Sequence, residues 1–371
     1  MGGKFLLNPS AAGARSMNAA EDGVLARQGF AAAHDAISAW PDYRPTPLRG
    51  LPALARTIGV DALYYKDEAS RFGLGSFKAL GGAYAVQRLV EDGAGETFAT
   101  ATDGNHGRAV AWGARRFGRR AVVYIHETVS EGRAEAIRAF GAEVVRTPGN
   151  YDDSVRQAAA DAERHGWTVV SDTSWEGYAE IPRLVMYGYG VMVAEALRQA
   201  PRVPTHIFVQ AGVGALAAAV CAVAWQEFGA QRPRLIVVEP ERAACLFESA
   251  RQGRLAPATG DTDSLMAGLA CGEASPLAWD LLRTGADAFM IVPDDDAVQA
   301  MRRLAMPLAG DPAIVAGESA VAGLCGLMRV CQDARLKTAL GLDANARVLL
   351  FGTEGATDPD LYRRLVSEAG E

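Results

Sequence analysis

The chain has 371 residues, 49% of them hydrophobic and 22% charged, enough to bury a sizeable core divided between two lobes. A formal charge of −7 argues against a nucleic-acid backbone or an anionic membrane surface as partner, because both select basic patches; a small molecule is the better expectation. The five cysteines include no CxxC pair and have no His-rich partner segment, so no metal site is expected.

In chain order, the first fifty residues read as an irregular lead-in. They hold no hydrophobic segment leading to a cleavage site, which makes the cytoplasm the expected compartment. A candidate strand, LYYKDE, opens at Leu63 and leads into the Gly-punctuated loop RFGLGS and an apolar helix that starts at Lys78. Strand runs then recur at Thr97 (TFATATDG), Ala121 (AVVYIHE), Glu143 (EVVRTPG) and Thr168 (TVVSDT). Helical stretches such as GRAVAWGARRFG and EGRAEAIRAFGA separate them, several closed by glycine. After Pro204 the pattern returns with HIFVQ, RLIVVEP, AFMIVP and ARVLLFG. Strand and helix in alternation mean an α/β protein with mainly parallel sheets covered by helices. The βα series from about Gly81 to Gly188 forms one unit, and the flanking portions combine into a second sheet. The apolar stretch Ile207 to Trp225 is long enough to consider as a membrane span, but alanine dominates it and Gln210, Gly212 and Gly214 interrupt it.

Only four lysines stand against thirty-three arginines, so chemistry that needs an amine has few candidates. Lys78, after a glycine loop and at the start of an apolar helix, has the setting of a Schiff-base lysine, where desolvation would lower its pKa. Lys66 reads as an ion-pair partner of Asp67 or Glu68, and Lys4 and Lys337 as surface charges. The turn TDGNHG (Thr102, Asp103, Gly104, Asn105, His106, Gly107) sits between a strand and a helix, where free N–H groups and the helix dipole suit a carboxylate; a capped Asp-Gly turn reads equally well. The turn AGVGA (Ala211 to Ala215) has the form of a phosphate cup, with a dinucleotide-binding turn as its rival, because Glu239 follows about where a ribose would need it. At the last strand's end Thr353 presents a neutral hydroxyl. Asp172 and Glu176 lie at another strand end among aromatic residues, where burial would tune a carboxyl.

Together these segments (YYKDEASRFGLGSFKALGG, TDGNHGRAVAW, SDTSWEGYAEIP, QAGVGALAAAV, MAGLACGEASPLAW, GESAVAGL and TEGATD) resemble the 2,3-diaminopropionate ammonia-lyases, a family of fold type II, tryptophan synthase β-like pyridoxal-phosphate enzymes. The resemblance implies a large cofactor-binding domain, residues 1–80 plus 189–371, and a small domain, residues 81–188. It implies pyridoxal 5'-phosphate held by Lys78, with Gly212, Val213, Gly214 and Ala215 at the phosphate, Asn105 at the phenolic oxygen and Thr353 at the pyridine nitrogen. Lys78, Asp103 and Asp172 are the implied catalytic residues, and Thr102, Asp103, Gly104, His106 and Asp172 the substrate contacts. The implied reaction removes ammonia from D- or L-2,3-diaminopropionate in a homodimer. A serine or threonine dehydratase, or another β-eliminating lyase on a substituted alanine, is the alternative. Cys245 and Cys271, both in expected loops, are a pair left open.

Overall fold

The computed structural model describes residues 4–102, 104–149 and 151–367. Each β-branched run becomes a strand, and the chain forms two sheets. In chain order the strands are β1 (Phe5–Leu7), β2 (Leu48–Gly50), β3 (Ala62–Asp67), β4 (Thr97–Ala101), β5 (Arg120–His126), β6 (Glu143–Thr147), β7 (Thr168–Val169), β8 (His206–Gln210), β9 (Arg234–Pro240), β10 (Ala288–Val292) and β11 (Arg347–Gly352). Seven form a sheet of order β1-β10-β9-β8-β11-β3-β2, parallel except at its two edges. The other four form an all-parallel sheet of order β6-β5-β4-β7.

The lead-in is more regular than the sequence suggested. It supplies both antiparallel edge strands, β1 and β2, and two helices, Ala19–Val24 and Arg27–Ser38. Three-residue strands are too short to show an alternation, and it is pairing with β10 and β3 that makes them strands. The apolar stretch from Ile207 divides into β8 and the helix Ala215–Phe228. Among the described residues no helix is long and apolar enough to cross a membrane.

Lys66 also departs from its expected pairing. Alternation along β3 turns it away from Asp67 and toward the helix Glu180–Gln199, where its Nζ lies 2.6 Å from Glu195 Oε2 and 2.7 Å from the Thr46 carbonyl. Glu68 pairs instead with Arg71 at 2.8 Å, and Asp67 with Arg49 at 3.5 Å. This buried knot anchors the base of the loop that carries Lys78.

Three features aim the fold at one place. The order of the large sheet reverses between β8 and β11, so the turns after these neighbouring strands open side by side, where α/β proteins place ligands. The turns after β4 and β7, adjacent in the small sheet, face them. The helix Lys78–Glu91 lies between the helices Asn105–Arg116 and Glu180–Gln199, and a Cβ at Gly188 would overlap the Leu80 carbonyl. That missing side chain lets the Lys78 helix seat closely against its neighbour.

Candidate active site

Lys78 reaches the pocket because its loop is tied to the end of β11. The Phe77 N–H donates to the Thr353 carbonyl at 3.0 Å, and Gly73 and Gly75 take left-handed φ values of 71° and 72° to make the bend. Lys78 Nζ donates to Asp172 Oδ2 at 2.5 Å, and lies 5.5 and 5.7 Å from the ring centres of Phe77 and Tyr189. Burial alone would lower the amine's pKa, as the sequence suggested, but the adjacent Asp172 carboxylate outweighs burial and raises it above the ordinary lysine range. Asp172 shows the converse. Burial favours its neutral form, yet the Lys78 charge and hydrogen bond hold it below the usual carboxylate range. The structure therefore presents a half-buried ammonium–carboxylate pair. Glu176, the other acidic candidate of this segment, is exposed and does not line the pocket.

In the turn after β4, Thr102 Oγ1 accepts from the N–H groups of Gly104 at 2.9 Å and Gly107 at 3.1 Å. This folds the backbone so that the next helix starts toward the pocket. The Asn105 and His106 amides at the helix start have no acceptor among the described residues, which leaves two donors for an anion. Asp103 lies outside the described residues. The Asn105 amide is held from both sides: its Nδ2 donates to Glu354 Oε2 and its Oδ1 accepts from Arg108 at 2.9 Å. One Nδ2 hydrogen therefore remains for a ligand. His106 is buried, and its Nε2 lies 3.0 Å from the Val170 carbonyl.

The turn after β8 is a cradle. A Cβ at Gly212 would stand 3.0 Å from Cys271 Sγ and 3.2 Å from Leu269 Cα, and Gly214 has a φ of 97°. The amides of Gly212, Val213, Gly214 and Ala215 have no acceptor among the described residues and converge at the start of the helix Ala215–Phe228. Such an arrangement binds a phosphate dianion. Glu239, which kept a dinucleotide reading open, accepts from the amides of Leu246 and Phe247 at 2.8 and 2.7 Å. It caps the helix Cys245–Gln252, fully buried, with its pKa pushed up to about 8 by burial, and is not available to a ribose. Cys245 and Cys271 flank Gly212 from two sides.

Thr353 Oγ1 accepts from Gln210 Nε2 at 2.9 Å, and the same amide nitrogen donates to the Phe351 carbonyl at 2.7 Å. The Thr353 hydroxyl proton is thereby left for a pocket acceptor. One pocket is lined by Lys78, Thr102, Gly104, Asn105, His106, Asp172, the Gly212–Ala215 turn and Thr353.

A family model for pyridoxal-phosphate dependent enzymes matches residues 39–352. The diaminopropionate ammonia-lyase of Escherichia coli strain K12 is 43% identical over 88% of this chain and 88% of its own. That of Salmonella typhimurium strain LT2 is 41% identical over 88% of this chain and 89% of its own. The chain belongs to the diaminopropionate ammonia-lyase family of pyridoxal-phosphate dependent enzymes. The crystal structure of the Escherichia coli lyase in complex with an aminoacrylate-PLP azomethine reaction intermediate superposes with a TM-score of 0.91 at 39% identity, covering 99% of this chain and 97% of that one.

Pyridoxal phosphate is the cofactor of this lyase family, and the residues present fit it. The pocket holds one amine, four unbonded backbone N–H groups at a helix start, an amide with one N–H to give and a hydroxyl oriented as a donor. Among the described residues no cluster of His, Cys, Asp and Glu has the makings of a metal site. Three polar side chains that line the pocket, Gln210, Arg133 and Glu354, escaped the sequence reading, as did Glu318, which pairs with Arg133. Gln210 had a signal, a polar residue ending an otherwise apolar strand. Arg133 and Glu318 had none, because their 2.7 Å pair joins segments 185 residues apart.

Proposed function

We propose that this protein eliminates ammonia from 2,3-diaminopropionate, of D or L configuration, to give pyruvate and two molecules of ammonia with pyridoxal 5'-phosphate as cofactor. The observation that carries the reading is the Lys78–Asp172 pair at 2.5 Å, set between a carboxylate-binding turn and a phosphate cradle in a chain 43% identical to a diaminopropionate ammonia-lyase.

Gly212, Val213, Gly214 and Ala215 hold the cofactor phosphate, Asn105 Nδ2 gives its free hydrogen to the phenolic oxygen, and Thr353 donates to the pyridine nitrogen. Bound through Lys78, the cofactor supplies the electron sink that acidifies the substrate's α-proton. The substrate carboxylate sits on the amides of Asn105 and His106 within the turn formed by Thr102 and Gly104. The Lys78 amine, when free, would take the α-proton of one enantiomer. Asp103 takes that of the other, a role that rests on its place in the sequence. Asp172 remains ionised and holds the β-amino group protonated, the form in which it departs as neutral ammonia. The released three-carbon enamine tautomerises and hydrolyses in water to pyruvate and the second ammonia.

The family resemblance supports a homodimer, and opening residues with no hydrophobic segment leading to a cleavage site suit a cytoplasmic enzyme. The same resemblance supports a division into a large domain, residues 1–80 plus 189–371, and a small domain, residues 81–188. The deciding experiment measures pyruvate and ammonia from D- and L-2,3-diaminopropionate beside D- and L-serine. Two ammonia per pyruvate, with serine poor, supports the reading; a preference for serine overturns it in favour of a dehydratase.

A further inference from the structure

His106 holds a nitrogen that the fold leaves unused. Its side chain is 5% exposed, and its Nε2 lies 3.0 Å from the Val170 carbonyl. A carbonyl only accepts, so Nε2 carries a ring hydrogen, and in the neutral imidazole Nδ1 is then a bare lone pair. That lone pair has no hydrogen-bond partner among the described residues and stands 3.9 Å from Asp172 Oδ2. Two acceptors thus face one gap: Asp172 Oδ2 takes a hydrogen from Lys78, and His106 Nδ1 takes none. Burial keeps the imidazole neutral by lowering its pKa, against the pull of Asp172 and with the help of Lys78. An unsatisfied buried acceptor is costly and calls for a ligand that brings the missing donor.

The two acceptors also keep their spacing. Val170, which orients the ring, is two residues before Asp172 on the same strand end, so the segment that carries the carboxylate also holds the ring in place. A gap of 3.9 Å is bridged by a single nitrogen that makes hydrogen bonds of about 2.8 Å to both sides. That nitrogen needs at least two N–H groups, and a positive charge favours the carboxylate side. A hydroxyl has one hydrogen and satisfies one acceptor.

We infer that His106 Nδ1 and Asp172 Oδ2 together receive the substrate's β-ammonium, and that His106 sets the preference for an amine over a hydroxyl at that position. The inference rests on the reaction proposed above and adds the atom that reads the leaving group. The electron balance needs no proton from the ring. The α-proton passes to the base, the pair it leaves forms the Cα–Cβ double bond, and the Cβ–N pair departs with the nitrogen as neutral ammonia.

Two substitutions separate the lone pair from the ring. His106→Gln keeps a donor near Nε2 and removes the acceptor at Nδ1, whereas His106→Asn places an amide oxygen near Nδ1. His106→Gln is expected to lower kcat/KM for 2,3-diaminopropionate about 10- to 100-fold and to change that for serine less than about 3-fold, with His106→Asn recovering most of the loss. A binding readout independent of turnover uses the cofactor-loaded Lys78→Ala protein in a calorimeter, with 2,3-diaminopropionate and alanine as ligands. Adding His106→Gln is expected to weaken the diamine about tenfold or more and to leave alanine unchanged. Equal weakening of both ligands, or an Asn variant as impaired as the Gln variant while equally folded by circular dichroism, overturns the inference. A wild-type preference for serine overturns the proposed reaction instead, and the diamine-against-alanine comparison still decides whether His106 reads an ammonium.

Discussion

Two lysines of this chain, one buried and one half-buried, each face a carboxylate at nearly the same distance: Lys66 to Glu195 at 2.6 Å and Lys78 to Asp172 at 2.5 Å. The first is closed. Lys66 Nζ also donates to the Thr46 carbonyl at 2.7 Å and Gln199 Oε1 at 2.9 Å, and Arg71 donates to both Glu68 and Glu195. The second is open. Among the described residues Lys78 has one acceptor, and beside its carboxylate lies the bare nitrogen of His106. Burial lowers the pKa of Lys66 despite two carboxylates, while Asp172 raises that of Lys78. The difference lies in unused capacity rather than in charge. A saturated ion pair is scaffold, and an unsaturated one at a pocket wall can exchange its partner for a ligand.

The comparison breaks most visibly at the amines. Lys78→Ala should lower pyruvate release at least about 1000-fold while the melting transition stays within a few degrees; turnover in that variant removes the assigned nucleophile. Lys66→Met should show the opposite pattern, a loss of about 3 to 5 kcal/mol in denaturant unfolding, because Glu195 is left buried beside fewer donors. A stable Lys66→Met protein with lost activity would transfer the chemistry to the knot.

A smaller effect is expected from Asp172→Asn, which keeps the shape and removes the charge that holds the Lys78 ammonium. Its kcat/KM for 2,3-diaminopropionate should fall about 10- to 100-fold, and the acid limb of the pH–rate profile should shift. An unchanged profile would deny Asp172 its electrostatic role.

Glu318 stands between the two extremes. It pairs with Arg133 at 2.7 Å, but burial and the neighbouring Glu354 charge push its pKa up from 4.5 to about 7 against Arg133. Between pH 4.5 and 7 the folded chain then holds more protons than the unfolded one, so this group's contribution to stability declines as pH rises through that window. Glu318→Gln should flatten the difference in unfolding free energy between pH 5 and 8 by on the order of 1 kcal/mol. An identical pH slope in variant and wild type would remove Glu318 from the account.

Much of the fold was legible because its strands are runs of β-branched residues closed by glycine turns, a local signal. The edge strands β1 and β2 were not, since three residues carry no period and only a partner strand defines them. Lys66 was assigned to its chain neighbours because sequence distance was the only distance to hand; its partner is 129 residues away. Gln210 and Glu354 were quoted within motifs without a role, since what Gln210 does to Thr353 and Glu354 to Asn105 depends on β8 and β11 lying side by side and on a helix from the other sheet.

The sequence by itself determined the alternation of strands and helices, the glycine turns that leave N–H groups unbonded and the lysine that opens its helix, because each is a property of contiguous residues. The tertiary structure decided which lysine is scaffold and which is poised for chemistry, which carboxylate faces it, and that one imidazole nitrogen stays without a hydrogen. Those outcomes turn on donors and acceptors counted across segments as far as 129 residues apart, a count that exists only once the chain is folded.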